Sequence, residues 1–77
     1  MENRRINGWD FKYDEDNGMF ECRGEVHYDD DHDEQPEPEL WSAAVKLEIK
    51  LIEEGYLAEV SASEKGWVEV QILKNNK

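Results

Sequence analysis

Residues 29–39, Asp-Asp-Asp-His-Asp-Glu-Gln-Pro-Glu-Pro-Glu, hold seven carboxylates and two prolines in eleven positions, and no such run can enter a core. It divides a chain of 77 residues into two apolar stretches that must build one core together. A domain of this size buries only ~60% of the surface its unfolded chain exposes, so that core is small. The run is expected to be an extended acidic loop within a single domain spanning 1–77.

The first stretch reads as a hairpin. Trp9, Phe11 and Tyr13 alternate with Asp10, Lys12 and Asp14, the period of a half-buried strand. Asn17-Gly18 follows, a pair that accepts positive φ at both turn positions. Cys22, Gly24, Val26 and Tyr28 then alternate with Glu21, Arg23, Glu25 and His27. A two-residue turn places Tyr13 opposite Cys22, Phe11 opposite Gly24 and Trp9 opposite Val26. On the other face Asp10 meets Glu25, Lys12 meets Arg23 and Asp14 meets Glu21. Directly opposed like charges are unfavourable by several tenths of a kcal/mol each. This register therefore suggests an acidic face retained for use.

The second stretch reads as a helix and another hairpin. Pro38 suits a first helical turn and Glu39 its positive end, Leu40 to about Glu54 carries helical periodicity, and Gly55 takes the C′ position. The helix's apolar arc, roughly 200° wide, exceeds what one sheet face covers. Glu48 falls inside that arc, flanked by Trp41, Ala44, Val45, Leu51 and Ile52, and Trp41, Val45, Glu48, Ile49 and Ile52 are expected to form a homodimer interface. Trp67 and Leu73 on the last strand leave further apolar surface. After the helix, the loop Glu64-Lys65-Gly66 pairs Ala62 with Val68, Val60 with Val70 and Ala58 with Ile72. The expected fold is α+β: ββαββ, an antiparallel sheet of two hairpins with one helix packed across it. Residues 1–5 and 75–77 are expected to be tails.

Charge narrows the function. Between Asp10 and Glu39 there are 13 acidic and two basic residues, a balance of −11 that equals the net charge of the chain. Outside that window seven acids match seven bases. Acidification for solubility alone would spread over every face; this does not. A phosphate backbone is repelled by such a surface, so direct nucleic-acid binding is not expected. One cysteine rules out an internal disulfide. No apolar run is long enough for a membrane span, and no secretory leader is evident, so a cytoplasmic location is expected. Cys22, His27 and His32 recur every five residues, but alternation sends Cys22 inward and His27 outward. No metal site, cofactor or catalytic residue is expected, and the chain is read as a non-enzyme.

The small size, the −11 charge and its concentration between Asp10 and Glu39 resemble the acidic DNA-mimic proteins that phages direct against host proteins. Those include inhibitors of HU-like nucleoid proteins, anti-restriction proteins and anti-CRISPR proteins. The resemblance implies host takeover by an inhibitor that occupies a basic DNA-binding surface. The candidate partner-binding residues are Asp10, Asp14, Glu15, Asp16, Glu21 and Glu25, continuing through Asp29, Asp30, Asp31, Asp33 and Glu34. The alternative is a protein-interaction module that meets its target through the helix and Trp67.

Overall fold

The computed structural model describes residues 1–28 and 34–75, with the backbone alone for 74 and 75. Its class is α+β, with one helix and an antiparallel sheet of five strands. The strands are β1 (Arg4–Ile6), β2 (Trp9–Asp14), β3 (Met19–Arg23), β4 (His27–Tyr28) and β5 (Glu34–Gln35). Helix α1 (Pro38–Glu53) follows, then β6 (Tyr56–Ala62) and β7 (Trp67–Asn75). The sheet order is β1-β2-β3-β7-β6, and β4 with β5 makes a separate two-stranded ribbon.

This differs from two hairpins and a helix in three places. Residues 4–6 are a strand on the edge of the sheet, overlapping the tail expected over residues 1–5. The Asn7-Gly8 turn joins β1 to β2, with φ of 51° and 86°. The strand expected to run through Tyr28 stops at Arg23, and the chain re-pairs as the ribbon, His27 with Gln35 and Tyr28 with Glu34. The acidic loop is correspondingly shorter than 29–39, because Glu34 and Gln35 are in β5 and α1 already begins at Pro38.

The first hairpin also adopts a different register. Tyr13 faces Phe20 and Lys12 faces Glu21, a slip of two residues from the two-residue turn. The physical cause is Asp14. Its carboxylate accepts hydrogen bonds from the Asn17 side-chain amide (2.6 Å) and from the backbone N–H of Asp16 (3.0 Å) and of Asn17 (3.3 Å). The Gly18 N–H closes the loop on the Asp14 carbonyl at 2.8 Å. An Asx-type turn thus makes the loop Glu15-Asp16-Asn17-Gly18. An even slip leaves every side chain on its expected face, so the core is unaffected, but the cross-strand neighbours change. The ring beside Gly24 is Trp9, not Phe11: its Cη2 lies 3.6 Å from where a Gly24 Cβ would stand.

The second hairpin pairs as its loop dictates: Ala62 with Val68, Val60 with Val70, and Ala58 with Ile72. Leu40, Ala43, Ala44, Leu47 and Leu51, spaced for one helical stripe, bury against the sheet. They meet Ile6, Phe11, Phe20, Cys22, Val68 and Val70, and Tyr13 packs its ring on Phe20 with 5.0 Å between centroids. Arg4 closes one edge, bonding Glu54 through two parallel contacts of 2.5 and 2.6 Å and lying 5.9 Å over the Phe20 ring. The sheet has a helix on one face only. No helix among the described residues is long and apolar enough to cross a membrane.

Candidate partner-binding surface

The corrected register changes the open face of the sheet. Asp10 lies opposite Arg5, Lys12 opposite Glu21, and Glu21 on its other side opposite Glu69. The expected rows of directly opposed like charges on the first hairpin are absent: Lys12 meets Glu21 where it was expected to meet Arg23. Arg23 instead lies 6.0 Å over the Trp67 ring and donates from Nε to the Lys65 carbonyl at 3.0 Å. This face is mixed in sign, and Asp10 and Glu21 have cations beside them. The inference of an acidic face drawn from like-charge pairing therefore falls.

Among the described residues the acidic excess lies at the two ends of β3. At one end is the loop after β2. Glu15 and Asp16 are exposed there, next to Asp14 and Glu21, around a shallow depression that Lys12 and Tyr13 complete. Among the described residues Glu15 approaches only the N-terminal amine, at 3.9 Å. The hydrogen bond from the Asn17 amide, followed by those from the two backbone N–H groups, holds the Asp14 carboxyl below the ordinary aspartate range. A lowered folded pKa contributes stability above the unfolded value of ~3.9 and loses it as pH falls through the folded value. Asp14 is thus expected to titrate below the ordinary aspartate range, as followed by carboxyl-carbon NMR, and an ordinary aspartate titration there would contradict this turn.

At the other end stand Glu25, Glu34 and Glu37. Glu34 accepts the Lys65 N–H at 3.3 Å, docking the ribbon on the second hairpin's loop. Glu37 meets His27, Nε2 to Oε2, at 2.6 Å. Glu25, His27 and Glu37 bring three donor atoms to within 4.8 Å of one another. Cys22 is buried on the core face with its thiol pushed up by burial, while His27 is exposed in the separate ribbon, so these two diverge. Sequence spacing gave no sign of the Glu25–His27–Glu37 meeting, because only the ribbon brings residue 37 back to residue 27. Asp29, Asp30, Asp31, His32 and Asp33 lie outside the described residues.

The candidate dimer residues form a second stripe on α1. Trp41, Ile49 and Ile52 are 37%, 50% and 49% exposed, with Val45 and Glu48 partly buried between them. Glu48 has a partner within its own chain: its Oε2 accepts the Val60 N–H at 3.2 Å. Strand β6 is an edge of the sheet, and this bond occupies one of its outward donors. Trp67 and Leu73 are also exposed, at 38% and 54%. Val68 is buried under the helix, so Trp67, its neighbour on β7, points to the opposite side of the sheet. The helix stripe and Trp67 cannot share one flat interface.

No protein-family model, curated protein or solved structure matches this chain.

Proposed function

We propose that the protein is an acidic binding module that occupies the basic, nucleic-acid-binding surface of another protein, as a DNA mimic does, without catalysing a reaction. The observation that carries this reading is how little of the acidic excess among the described residues is spent on cations of the same chain. Among those residues the one tight arginine–carboxylate pair, Arg4–Glu54, lies outside the segment that carries the net charge. For the described residues of that segment, the contacts with a formal cation are long, 3.9 Å for Arg5–Asp10 and for Met1–Glu15, and His27–Glu37 is the short one. The exposed carboxylates of Glu15 and Asp16 at one end of β3 and of Glu25 at the other are therefore open to lysine and arginine of a partner, with charge-assisted hydrogen bonds and electrostatic steering.

The overall dimensions, 44 × 22 × 19 Å, give an elongated body. Its length corresponds to about 13 base-pair steps at ~3.4 Å each, enough to lie along a groove built for a duplex. An HU-like nucleoid protein is the first partner to test. Fluorescence anisotropy of a labelled duplex bound to such a protein should fall to the free value as the acidic chain is added. Persistence of the bound signal at a large molar excess, with this and other duplex-binding grooves, would count against the reading.

A second element belongs to the same proposal. The stripe of Trp41, Val45, Ile49 and Ile52 runs along the helix beside the β6 edge, and a second copy of the chain would cover it. Sedimentation equilibrium should give twice the mass of one chain, with Trp41→Glu returning it to the monomer at the same concentration. A wild-type monomer at tens of micromolar would remove the dimer and leave the acidic-surface reading intact.

A further inference from the structure

The meeting of Glu25, His27 and Glu37 has a chemistry separate from the acidic surface. Glu25 lies in the irregular segment between β3 and β4 and His27 opens β4, and their donor atoms come together with that of Glu37. The ribbon then turns the chain back and presents Glu37, the residue that precedes α1. Its backbone is anchored by the Trp41 N–H, which donates to the Glu37 carbonyl at 2.9 Å. The Glu37 side chain is only 20% exposed, against 47% for His27. One donor is thus held close to the body while the others lie nearer the surface.

We propose that Glu25, His27 and Glu37 form a binding site for a divalent transition-metal ion, for which zinc is the probe. An imidazole nitrogen with two carboxylate oxygens suits zinc, manganese or iron(II), whereas calcium and magnesium take oxygen donors. Three protein donors leave a fourth position for water or for a group from a partner. A tetrahedral ion with bonds of ~2.1 Å sets its donors about 3.4 Å apart. The three atoms lie within 4.8 Å of one another, so Glu25 approaches by little more than an ångström. His27 and Glu37, now 2.6 Å apart, open by about 0.8 Å to reach that spacing, and rotation of the exposed Glu25 and His27 side chains supplies both movements. The anionic surroundings raise the local cation concentration further. Bound there, the ion joins the segment after β3, the ribbon and the helix start, and it stabilises the fold by mass action.

The test is calorimetric titration of the untagged full chain with zinc, beside Glu25→Gln, His27→Ala and Glu37→Gln. A fourth variant carries asparagine at Asp29, Asp30, Asp31 and Asp33, the neighbouring carboxylates that could collect zinc on their own. One ion per chain is expected, with affinity falling about tenfold or more in each of the three single variants. The asparagine variant should stay within about threefold of wild type, and millimolar magnesium should not compete. Zinc should also shift the His27 imidazole resonances of the wild-type chain, a readout that does not depend on any variant folding. Absence of binding to wild type, equal binding by all three single variants, or loss confined to the asparagine variant would each overturn the site.

Discussion

Replacing Glu15, Glu21 and Glu34 by glutamine and Asp16 by asparagine is expected to weaken binding to a cationic partner by roughly 30- to 900-fold while the fold persists. The changes take the net charge from −11 to −7 and lie at the two ends of β3 and, for Glu21, at its middle. Each lost ion pair at a partly desolvated interface contributes about 0.5–1 kcal/mol, or about 2–4 kcal/mol for four, which converts to that range of affinity. The amides keep the oxygen acceptors, so Glu34→Gln still receives the Lys65 N–H. Asp14 is left alone because its carboxylate builds the turn. Reduced self-repulsion should leave the melting temperature equal or slightly higher. Titration calorimetry and thermal denaturation of the same sample separate the two effects. An unchanged affinity with an intact fold would move the interface away from these carboxylates.

Gly66→Ala is expected to lower the melting temperature by roughly 12–24 °C. Gly66 has φ of +84°, and a Cβ there would stand 2.3 Å from the Gly24 carbonyl oxygen and 3.3 Å from Val26 Cγ2. The nearer contact cannot be relieved by turning a side chain, because the oxygen belongs to backbone. The Gly24 N–H donates to the Gly66 carbonyl at 2.9 Å, so moving one segment breaks the bond that joins them. Left-handed strain and this clash together cost about 3 kcal/mol, against a total stability of ~4–12 kcal/mol for a chain of this length. At ~4–8 °C per kcal/mol, the shift follows. Gly18→Ala is the control: φ is +64° but a Cβ meets nothing within 4 Å, so strain alone remains, about 1 kcal/mol. Equal melting temperatures for the two variants would mean that the second hairpin's loop does not abut Gly24.

The two hairpins differ in how far their sequences specified them. In the second, a three-residue loop with a left-handed glycine leaves one register, and Ala62–Val68 and Val60–Val70 follow from it. In the first, Asn17-Gly18 is compatible with a two-residue turn, but Asp14 competes by capping the backbone ahead of it, and the loop grows to four residues. The core tolerated that slip because it was even; the charge pattern did not. Strand β1 was missed because Arg4-Arg5-Ile6 is short and mostly polar, although Asn7-Gly8 carried the same turn signal as Asn17-Gly18. The stripe Leu40, Ala43, Ala44, Leu47 and Leu51 was legible from its period. The partners of Glu48 and His27 were not. Val60 and Glu37 reach them through the sheet edge and the ribbon, contacts that no local pattern encodes.

The dependence of partner affinity on salt bears most directly on whether anionic side chains occupy a cationic groove. With an HU-like protein or any other duplex-binding target that the chain displaces, the binding constant is to be measured between about 50 and 200 mM salt. A fall of tenfold or more across that interval is expected, with log K linear in log salt, as when several ion pairs exclude their counterions. A binding constant that stays level across the interval would assign the contact to apolar surface such as Trp41 or Trp67 and contradict mimicry of a polyanion.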